Sequence, residues 1–296
     1  MSIFNDLKLQ YRIGGVAEKL IYWNVALFAI PFILFGILSL FQIHFGFMYW
    51  FSLSSNPSDL LWKPWSIITY AFFHAGFLHL LFNMIIFHFS ARLFHTFFTQ
   101  KQLLNVYLTG AIFAGLVYIV SYLIFPALTS QYVTLIGASG AVMAVVFTVA
   151  TYSPQMQVRL LLIGNIRMWH IALFYLVIDL ISLSSDNVGG HIAHLGGAFW
   201  GYLFSSQLKN GKDITQWFSS FMDYIVNLFS GKKKTSTPFK KVHKNKTETQ
   251  RKSHVQTTSK NKAQQQIDEI LDKISRSGYD SLTKEEKEFL FRAGKD

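Results

Sequence analysis

The feature that most constrains this chain is a long segment with almost no charge. Residues 20–208 contain five basic and three acidic side chains in 189 positions. A soluble domain usually carries about a quarter of its residues as Asp, Glu, Lys or Arg. The segment is therefore not typical of an ordinary globular enzyme, and its composition predicts that it lies in lipid.

The formal net charge of +11 comes almost entirely from the segment that follows. Residues 209–262 hold 13 Lys or Arg against three acidic residues, a local charge of +10. The basic balance therefore describes a tail, and we expect no nucleic-acid partner. The chain has no cysteine, which excludes disulfides and cysteine zinc sites. Because it also has no phosphate loop or carboxylate metal motif, we expect no metal and no cofactor.

Six apolar runs are close to the ~20 residues that a helix needs to cross the ~30 Å core of a bilayer. They cover residues 20–42, 77–98, 103–125, 137–152, 168–184 and 191–208. The expected fold class is all-α, a polytopic membrane protein with six transmembrane helices.

The basic residues outside the spans predict the orientation, because short cytoplasmic loops retain Lys and Arg. With six spans, the N-terminal segment, the second-to-third and fourth-to-fifth connections and the tail all lie on one side, and they carry nearly all of these residues. We expect an integral protein of a bacterial inner (plasma) membrane with its N- and C-termini in the cytoplasm. The first loop, residues 43–76, is rich in aromatic residues and suits the outer membrane interface.

Charge and hydrophobicity divide the chain into five segments. Residues 1–19 form a cytoplasmic N-terminal segment, and residues 20–208 form the membrane domain. Residues 209–234 combine a helix on the inner membrane surface with a polybasic patch that attracts anionic lipids. Residues 235–263 form a disordered basic linker. Residues 264–296 form two short helices, with an N-cap near Ser281 or Thr283, that are too small for a core of their own.

The surface helix in residues 209–234 is predicted from apolar residues at helical spacing, followed by three lysines. Its expected apolar face consists of Ile214, Trp217, Phe218, Phe221, Ile225, Leu228 and Phe229, and the polybasic patch of Lys232, Lys233 and Lys234.

Four polar side chains inside the spans are functional candidates, because such groups are costly in lipid unless they are paired. Counted back from cytoplasmic markers at ~1.5 Å per residue, His79, Ser139 and His194 all lie roughly 20 Å above the inner border. Asn83 lies one turn deeper than His79, on the same helix face. Four polar groups therefore converge near one plane, towards the outer surface.

The fourth span is short, and this suggests chemistry at its N-terminus. Sixteen residues from Gly137 reach only ~24 Å, so this helix begins inside the membrane and its first amides need water or protein around them. These free N–H groups, in the turn Gly137-Ala-Ser139-Gly140, could point at a developing oxyanion.

Small residues predict a close approach of the fourth and sixth spans. Gly140 and Ala144 have small-xxx-small spacing, and Gly197 and Gly201 form GxxxG. Close backbones would bring Ser139 within hydrogen-bond reach of a histidine on the sixth span, and a serine with a histidine suffices as nucleophile and general base.

Each candidate also has a structural interpretation. Ser139 alone could be a small packing residue, His194 an interhelical hydrogen bonder, and His79 with Asn83 a polar clamp. Their shared depth disfavours these alternatives together, because independent clamps need not be coplanar. His191 is interpreted as a loop-end histidine. Asp179 in the fifth span has no assigned role, and its position near the outer end suits a hydrated carboxylate.

Three motifs on successive even spans resemble the rhomboid intramembrane serine proteases. They are His74-x4-His79-x3-Asn83, Gly137-Ala-Ser139-Gly140 and Ala193-His194-Leu-Gly-Gly197-x3-Gly201. The resemblance covers residues 20–208. It implies a six-helix bundle and a protease that needs neither metal nor cofactor.

By this resemblance, Ser139 is the nucleophile and His194 the base of a dyad without an acidic third member, and no suitable acid is found at this depth. His79, Asn83 and the backbone amide of Ser139 are expected to form the oxyanion hole, and His74 is expected to be structural. The implied substrates are single-span or polytopic membrane proteins, which are cut near the outer membrane face.

The chain departs from the family at two positions. Family members often have a tyrosine one turn after the serine, where this chain has Met143, whose thioether can also contact an aromatic ring. The first loop often has Trp-Arg where this chain has Trp65-Ser66, and Lys63 is a candidate for the anchoring role of that arginine.

Two other functions compete with proteolysis. A catalytically inactive relative would bind membrane helices as a chaperone or sorting factor, and it would be free to lose Ser139 or His194, which this chain keeps. A transporter or channel would need an ionisable path through the bilayer, whereas the polar cluster here stops halfway and no inverted repeat is evident.

Overall fold

The structure, a computed structural model, describes residues 3–160, 164–230 and 260–293. The chain forms two compact units, Met1–Lys233 and Lys234–Asp296. The described part is mostly helical, at 74%, in agreement with the expected all-α class. Two short two-stranded sheets in the first unit were not predicted.

Helices form most of the described part of the first unit. The helices are α1 (Ile3–Ile13), α2 (Val16–Leu40), α3 (Phe47–Phe51), α4 (Ser66–Thr69), α5 (Phe77–Phe94), α6 (Gln100–Ile124), α7 (Ser139–Tyr152), α8 (Met168–Ile181), α9 (Val188–Lys209) and α10 (Gln216–Ser230). The strands are β1 (Leu53–Ser54), β2 (Thr134–Leu135), β3 (Gln157–Leu160) and β4 (Gly164–Arg167), and 3-10 turns lie at Pro57–Leu61, Tyr70–Phe72 and Ser182–Ser184.

Each of the six predicted spans overlaps one of these helices, namely α2, α5, α6, α7, α8 and α9. By length and composition, α2, α5 and α6 are long and apolar enough to cross a membrane, whereas α7 and α8 are apolar but shorter. The number of six crossings stays a prediction.

Helix α7 lies among the other helices. It packs against α5, α6, α8 and α9, and ten of its 14 residues are buried. Ala138 and Gly140, on either side of its first residue, are buried, so α7 begins inside the protein rather than at its surface. The surrounding helices provide the environment that a short, apolar helix needs in lipid.

Glycines allow α7 and α9 to come into backbone contact. A Cβ atom at Gly197 would overlap the carbonyl group of Gly140, and one at Gly201 would overlap the carbonyl oxygen of Ala144. This close approach agrees with the small-residue spacing in the sequence.

The first loop is attached to the segment that precedes α7. Strand β1 pairs antiparallel with β2, with Leu53 opposite Leu135. Lys63 is 2% exposed, donates to the Tyr49 carbonyl oxygen at 2.7 Å and lies 3.8 Å from the centre of the Tyr49 ring. Its ammonium also lies 3.8 Å from the Asp59 carboxylate. Lys63 therefore anchors the first loop.

Helix α10 docks on the N-terminal part of α6 through polar side chains. Asn105 donates to Ser219 at 2.6 Å, and Lys101 pairs with Asp223 at 2.7 Å. Phe218 is buried, so its assignment to the lipid-facing side was wrong. Helical spacing reveals an apolar face, but it does not show which part of that face packs against protein. The exposed face of α10 carries Trp217, Phe221, Tyr224 and Leu228.

Part of the predicted tail falls outside the described residues. This applies to the polybasic patch Lys232–Lys234 and to residues 235–259 of the predicted linker, and to the side chain of Phe229.

The second unit contains α11 (Lys260–Ser277), a 3-10 turn (Tyr279–Ser281) and α12 (Lys284–Ala293). Helix α11 begins four residues before the predicted segment boundary at 264. Thr283 caps α12: its hydroxyl accepts from the Glu286 amide, and the Glu286 carboxylate accepts from the Thr283 amide. Ile270 and Leu282 are buried. Helix α11 packs against the 3-10 turn and α12. The expectation that this segment is too small for a core of its own stays a prediction.

Candidate active site

Ser139 and His194 are joined by a short hydrogen bond. The Ser139 Oγ atom lies 2.7 Å from His194 Nε2. Ser139 is the first residue of α7, and His194 lies in the N-terminal half of α9, so the close packing of these two helices sets the distance. Both residues are half-buried. A neutral imidazole with a free Nε2 lone pair accepts the serine proton in this geometry.

The turn before Ser139 requires glycine. Gly137 has φ +131°, and a Cβ there would lie 2.8 Å from His79 Cε1. Its amide donates to the Tyr70 carbonyl oxygen at 2.9 Å. Both the backbone conformation and the adjacent histidine ring exclude a larger residue at position 137. With glycine there, the ring of His79 lies against the start of α7.

Asn83 lies one turn after His79 on α5. The Asn83 side-chain amide donates to the His79 carbonyl oxygen at 2.8 Å, and Asn83 is 6% exposed. This bond uses one of the two amide hydrogens. The bond fixes the direction of the amide group, and the other hydrogen can serve a ligand.

His74 supports the same turn from the first loop. It is fully buried, its Nε2 accepts the Ala138 amide at 3.5 Å, and its ring meets His79 edge-on at 5.1 Å. Burial, followed by the nearby His79, lowers the pKa of His74 to about 3. His74 is therefore neutral at pH 7, which fits the structural role that the resemblance implies.

These side chains line one open cleft of ≈ 620 Å³, whose wall includes His79, Asn83, Ser139, Met143 and His194. The structure thus brings together the four polar residues singled out by depth. Met143, at the position where the family often has tyrosine, is buried in the cleft wall.

An acidic residue does reach the histidine. Asp179 Oδ1 lies 2.8 Å from His194 Nδ1 and 2.8 Å from His191 Nδ1, and Asp179 is 3% exposed. The expectations of no suitable acid at this depth and of a hydrated Asp179 were therefore wrong. His191 lies in the first turn of α9 and contacts Asp179, so its interpretation as a loop-end histidine was incomplete.

A signal for Asp179 was present in the sequence. It is the one acidic residue inside the six predicted spans. It follows Met168, at the start of α8, by 11 residues or ~17 Å of helix, within about one turn of the depth of His194. Depth along the even spans alone does not reveal Asp179, because this residue lies on the odd span α8.

Asp179, His191 and His194 also form the one group of potential metal ligands found within the described residues, with one ligand atom from each lying within 4.8 Å of the others. Two imidazole N–H groups that donate to the same carboxylate oxygen account for these short distances without an ion.

Comparison with known proteins identifies the family. The Rhomboid domain model matches residues 61–210, about half of the chain, and this range includes every residue of the cleft. The chain therefore belongs to the rhomboid family, an intramembrane protease-type family, and is an integral membrane protein. A second model, a family of unknown function (DUF6576), matches residues 254–295. No match was found in a search of the curated proteins.

Proposed function

We propose that this protein is an intramembrane serine endopeptidase that cuts transmembrane helices of membrane proteins near the outer membrane face. The observation that carries this proposal is the 2.7 Å hydrogen bond between Ser139 Oγ and His194 Nε2. This pair opens into a cleft that also holds the donors His79 and Asn83. A nucleophile, a base and oxyanion donors in one cleft are the parts that acyl transfer needs.

In the proposed reaction, His194 takes the Ser139 proton while Oγ attacks the substrate carbonyl carbon. The resulting oxyanion is held by the backbone amide of Ser139 and by the side chains of His79 and Asn83, and the N-terminus of α7 adds a favourable dipole. His194 then gives the proton to the leaving amine. A water molecule, activated by the same imidazole, hydrolyses the acyl-enzyme.

The surroundings of the cleft support this substrate class. An apolar gap of ≈ 510 Å³ lies between residues of α5 and α8, and Ile86 and Tyr175 line both this gap and the cleft. The gap suits an apolar substrate segment that arrives from the lipid side. Because a helix satisfies its own carbonyl groups, helix-destabilising residues in the substrate would favour cleavage.

The proposed orientation has both termini in the cytoplasm of a bacterial inner membrane. The cytoplasmic ends of α7 and α9 meet where Lys209 donates to the Thr151 carbonyl oxygen at 2.7 Å. The exposed aromatic face of α10 would rest on the inner membrane surface, and the basic tail would lie against anionic lipids.

A cleavage assay tests this function. The purified protein is reconstituted with a single-span helical substrate, and we expect Ser139→Ala and His194→Ala each to abolish cutting. Ser153→Ala, at the other end of α7, serves as the matched control and should cut normally. An intact wild-type protein that binds the substrate but never cuts it would instead support the inactive chaperone or sorting factor.

A further inference from the structure

We propose that Asp179 is a positioning residue that orients His194 and stabilises its protonated form during catalysis, so that this chain extends the serine–histidine pair with a buried carboxylate. This inference rests on the proposed protease function. It concerns a contact between α8 and α9 that the family motifs in this sequence do not contain.

Asp179 sets the tautomer of His194. Its Nδ1 faces Asp179 Oδ1 at 2.8 Å and its Nε2 faces Ser139 Oγ at 2.7 Å. A carboxylate only accepts hydrogen bonds, so the ring proton is held on Nδ1. The Nε2 lone pair is then directed at the serine hydroxyl, as a general base requires.

Asp179 also places a negative charge beside the protonated form of His194. When Nε2 takes the Ser139 proton, His194 becomes a cation with both ring nitrogens protonated. Asp179 is 3% exposed, so its negative charge acts on this cation with little screening by water. The carboxylate keeps its charge throughout, and the proton returns from His194 to the leaving amine.

Two histidines hold the carboxylate of Asp179 in place. A buried carboxylate is costly unless it is hydrogen-bonded. His191 Nδ1 lies 2.8 Å from the same oxygen, whereas the buried Oδ2 atom has no hydrogen-bond partner in the described part of the chain. Helix α9 therefore supplies both donors to Asp179, one turn apart. One donor belongs to the proposed base, and the other, His191, holds the same carboxylate oxygen.

Asp179→Asn is the sharpest test, because it keeps the shape of the side chain and removes its charge. We expect kcat in proteoliposomes to fall by ~10²- to 10⁴-fold, as in other enzymes where an acid orients a catalytic histidine. KM and the midpoint of thermal unfolding should stay close to wild type. Asp179→Glu keeps the carboxylate, and its kcat should be at least about tenfold higher than that of Asp179→Asn.

Two control variants separate positioning from general effects of the region. Asp186→Asn removes an exposed acid seven residues away and should leave kcat unchanged. His191→Ala removes the second donor but keeps the bond to His194, so its loss of kcat should be smaller than that of Asp179→Asn.

A second measurement covers the case in which a variant folds poorly. The rate at which a fluorophosphonate labels Ser139, normalised to folded protein, reports activation of the serine without a substrate. Asp179→Asn should slow this labelling by a factor similar to the loss of kcat.

The outcomes are distinguishable. If Asp179→Asn cuts within threefold of wild type while Ser139→Ala is inactive, the positioning role is wrong and the proposed function stands. If Ser139→Ala still cuts, the proposed function itself fails. Equal losses in the Asn and Glu variants, with lowered thermal stability, would indicate a purely structural role. If a chelator abolishes cleavage and Zn²⁺ restores it, Asp179 and the two histidines form a metal site, and the proposal is wrong.

Discussion

The proposed oxyanion hole depends on two side chains, those of His79 and Asn83, besides the backbone amide of Ser139. Loss of one such donor commonly costs ~10²- to 10³-fold in rate. We expect Asn83→Ala to lower kcat by about this factor, and His79→Ala by as much or more, because the His79 ring also packs on Gly137. The measurement is kcat at saturating substrate in proteoliposomes. Wild-type turnover in both variants would mean that this pair is a structural clamp.

His74 should make the fold sensitive to acid. Burial lowers the pKa of His74 to about 3, against an unfolded value near 6.5. Between these values the unfolded chain binds a proton that the folded chain does not, so stability is complete above pH ~6.5 and falls as the pH decreases towards 3. The slope from this group is at most about 1.4 kcal/mol per pH unit.

Thermal unfolding midpoints of wild type and His74→Gln, measured from pH 7.5 to 4, test this expectation. The substituted protein should be less stable at pH 7.5, and its midpoint should fall less steeply with acid. Parallel curves for the two proteins would show that His74 does not remain neutral in the folded state.

The sequence predicts the positions of single residues well where the fixed rise of a helix is the only information needed. Ser139 and His194 were placed at one depth by counting residues, and they lie in hydrogen-bond contact. Lys63 was correctly chosen as an anchor of the first loop. Asp179 lies on the odd span α8, and its partners depend on how α8 packs against α9. Spacing within one helix does not contain this information.

At the scale of elements, the contact between α7 and α9 sets the geometry of the site. A Cβ at Gly197 would overlap the Gly140 carbonyl group, so even Gly197→Ala should force the helices apart. A displacement of ~1 Å can cost about 10²-fold in rate, and we expect a loss of that size together with a lower midpoint of thermal unfolding.

Gly36→Ala provides the matched control, because a Cβ at Gly36 in α2 would meet nothing within 4 Å. Both variants are compared in the same cleavage assay. An active, stable Gly197→Ala protein would contradict the role of backbone contact in setting the Ser139–His194 distance.

The sequence predicts an element correctly where a long apolar run can only be a helix. It fails where an apolar surface could contact either protein or lipid. All six predicted spans overlap a helix. The hairpin of β3 and β4 was missed because its strands are only four residues long. Phe218 was misassigned because packing against protein and contact with lipid give the same apolar stripe.

At the scale of the whole molecule, the two compact units suggest separate tasks. The cleft and its supporting helices lie within Met1–Lys233. We expect a protein truncated after Lys233 to cut a model substrate within tenfold of the full-length rate, a difference of about 1.4 kcal/mol in barrier. The measurement is turnover at matched concentrations of folded protein.

A larger loss on truncation would assign the second unit a role in catalysis. Its fold was only partly predictable: the helices and the Thr283 cap follow from local patterns, whereas the burial of Ile270 and Leu282 depends on how two short helices meet. The basic tail was recognised from charge alone, and its proposed contact with anionic lipid stays a prediction.

The most direct test of the central claim is whether Ser139 is an activated nucleophile. A fluorophosphonate forms a covalent adduct with such a serine, and mass spectrometry identifies the modified residue. We predict an adduct on Ser139 of the wild-type protein that is absent from Ser139→Ala, strongly reduced in His194→Ala and unchanged in Ser153→Ala. An adduct at another residue, or labelling that persists in Ser139→Ala, would contradict the assignment of this site as the catalytic centre.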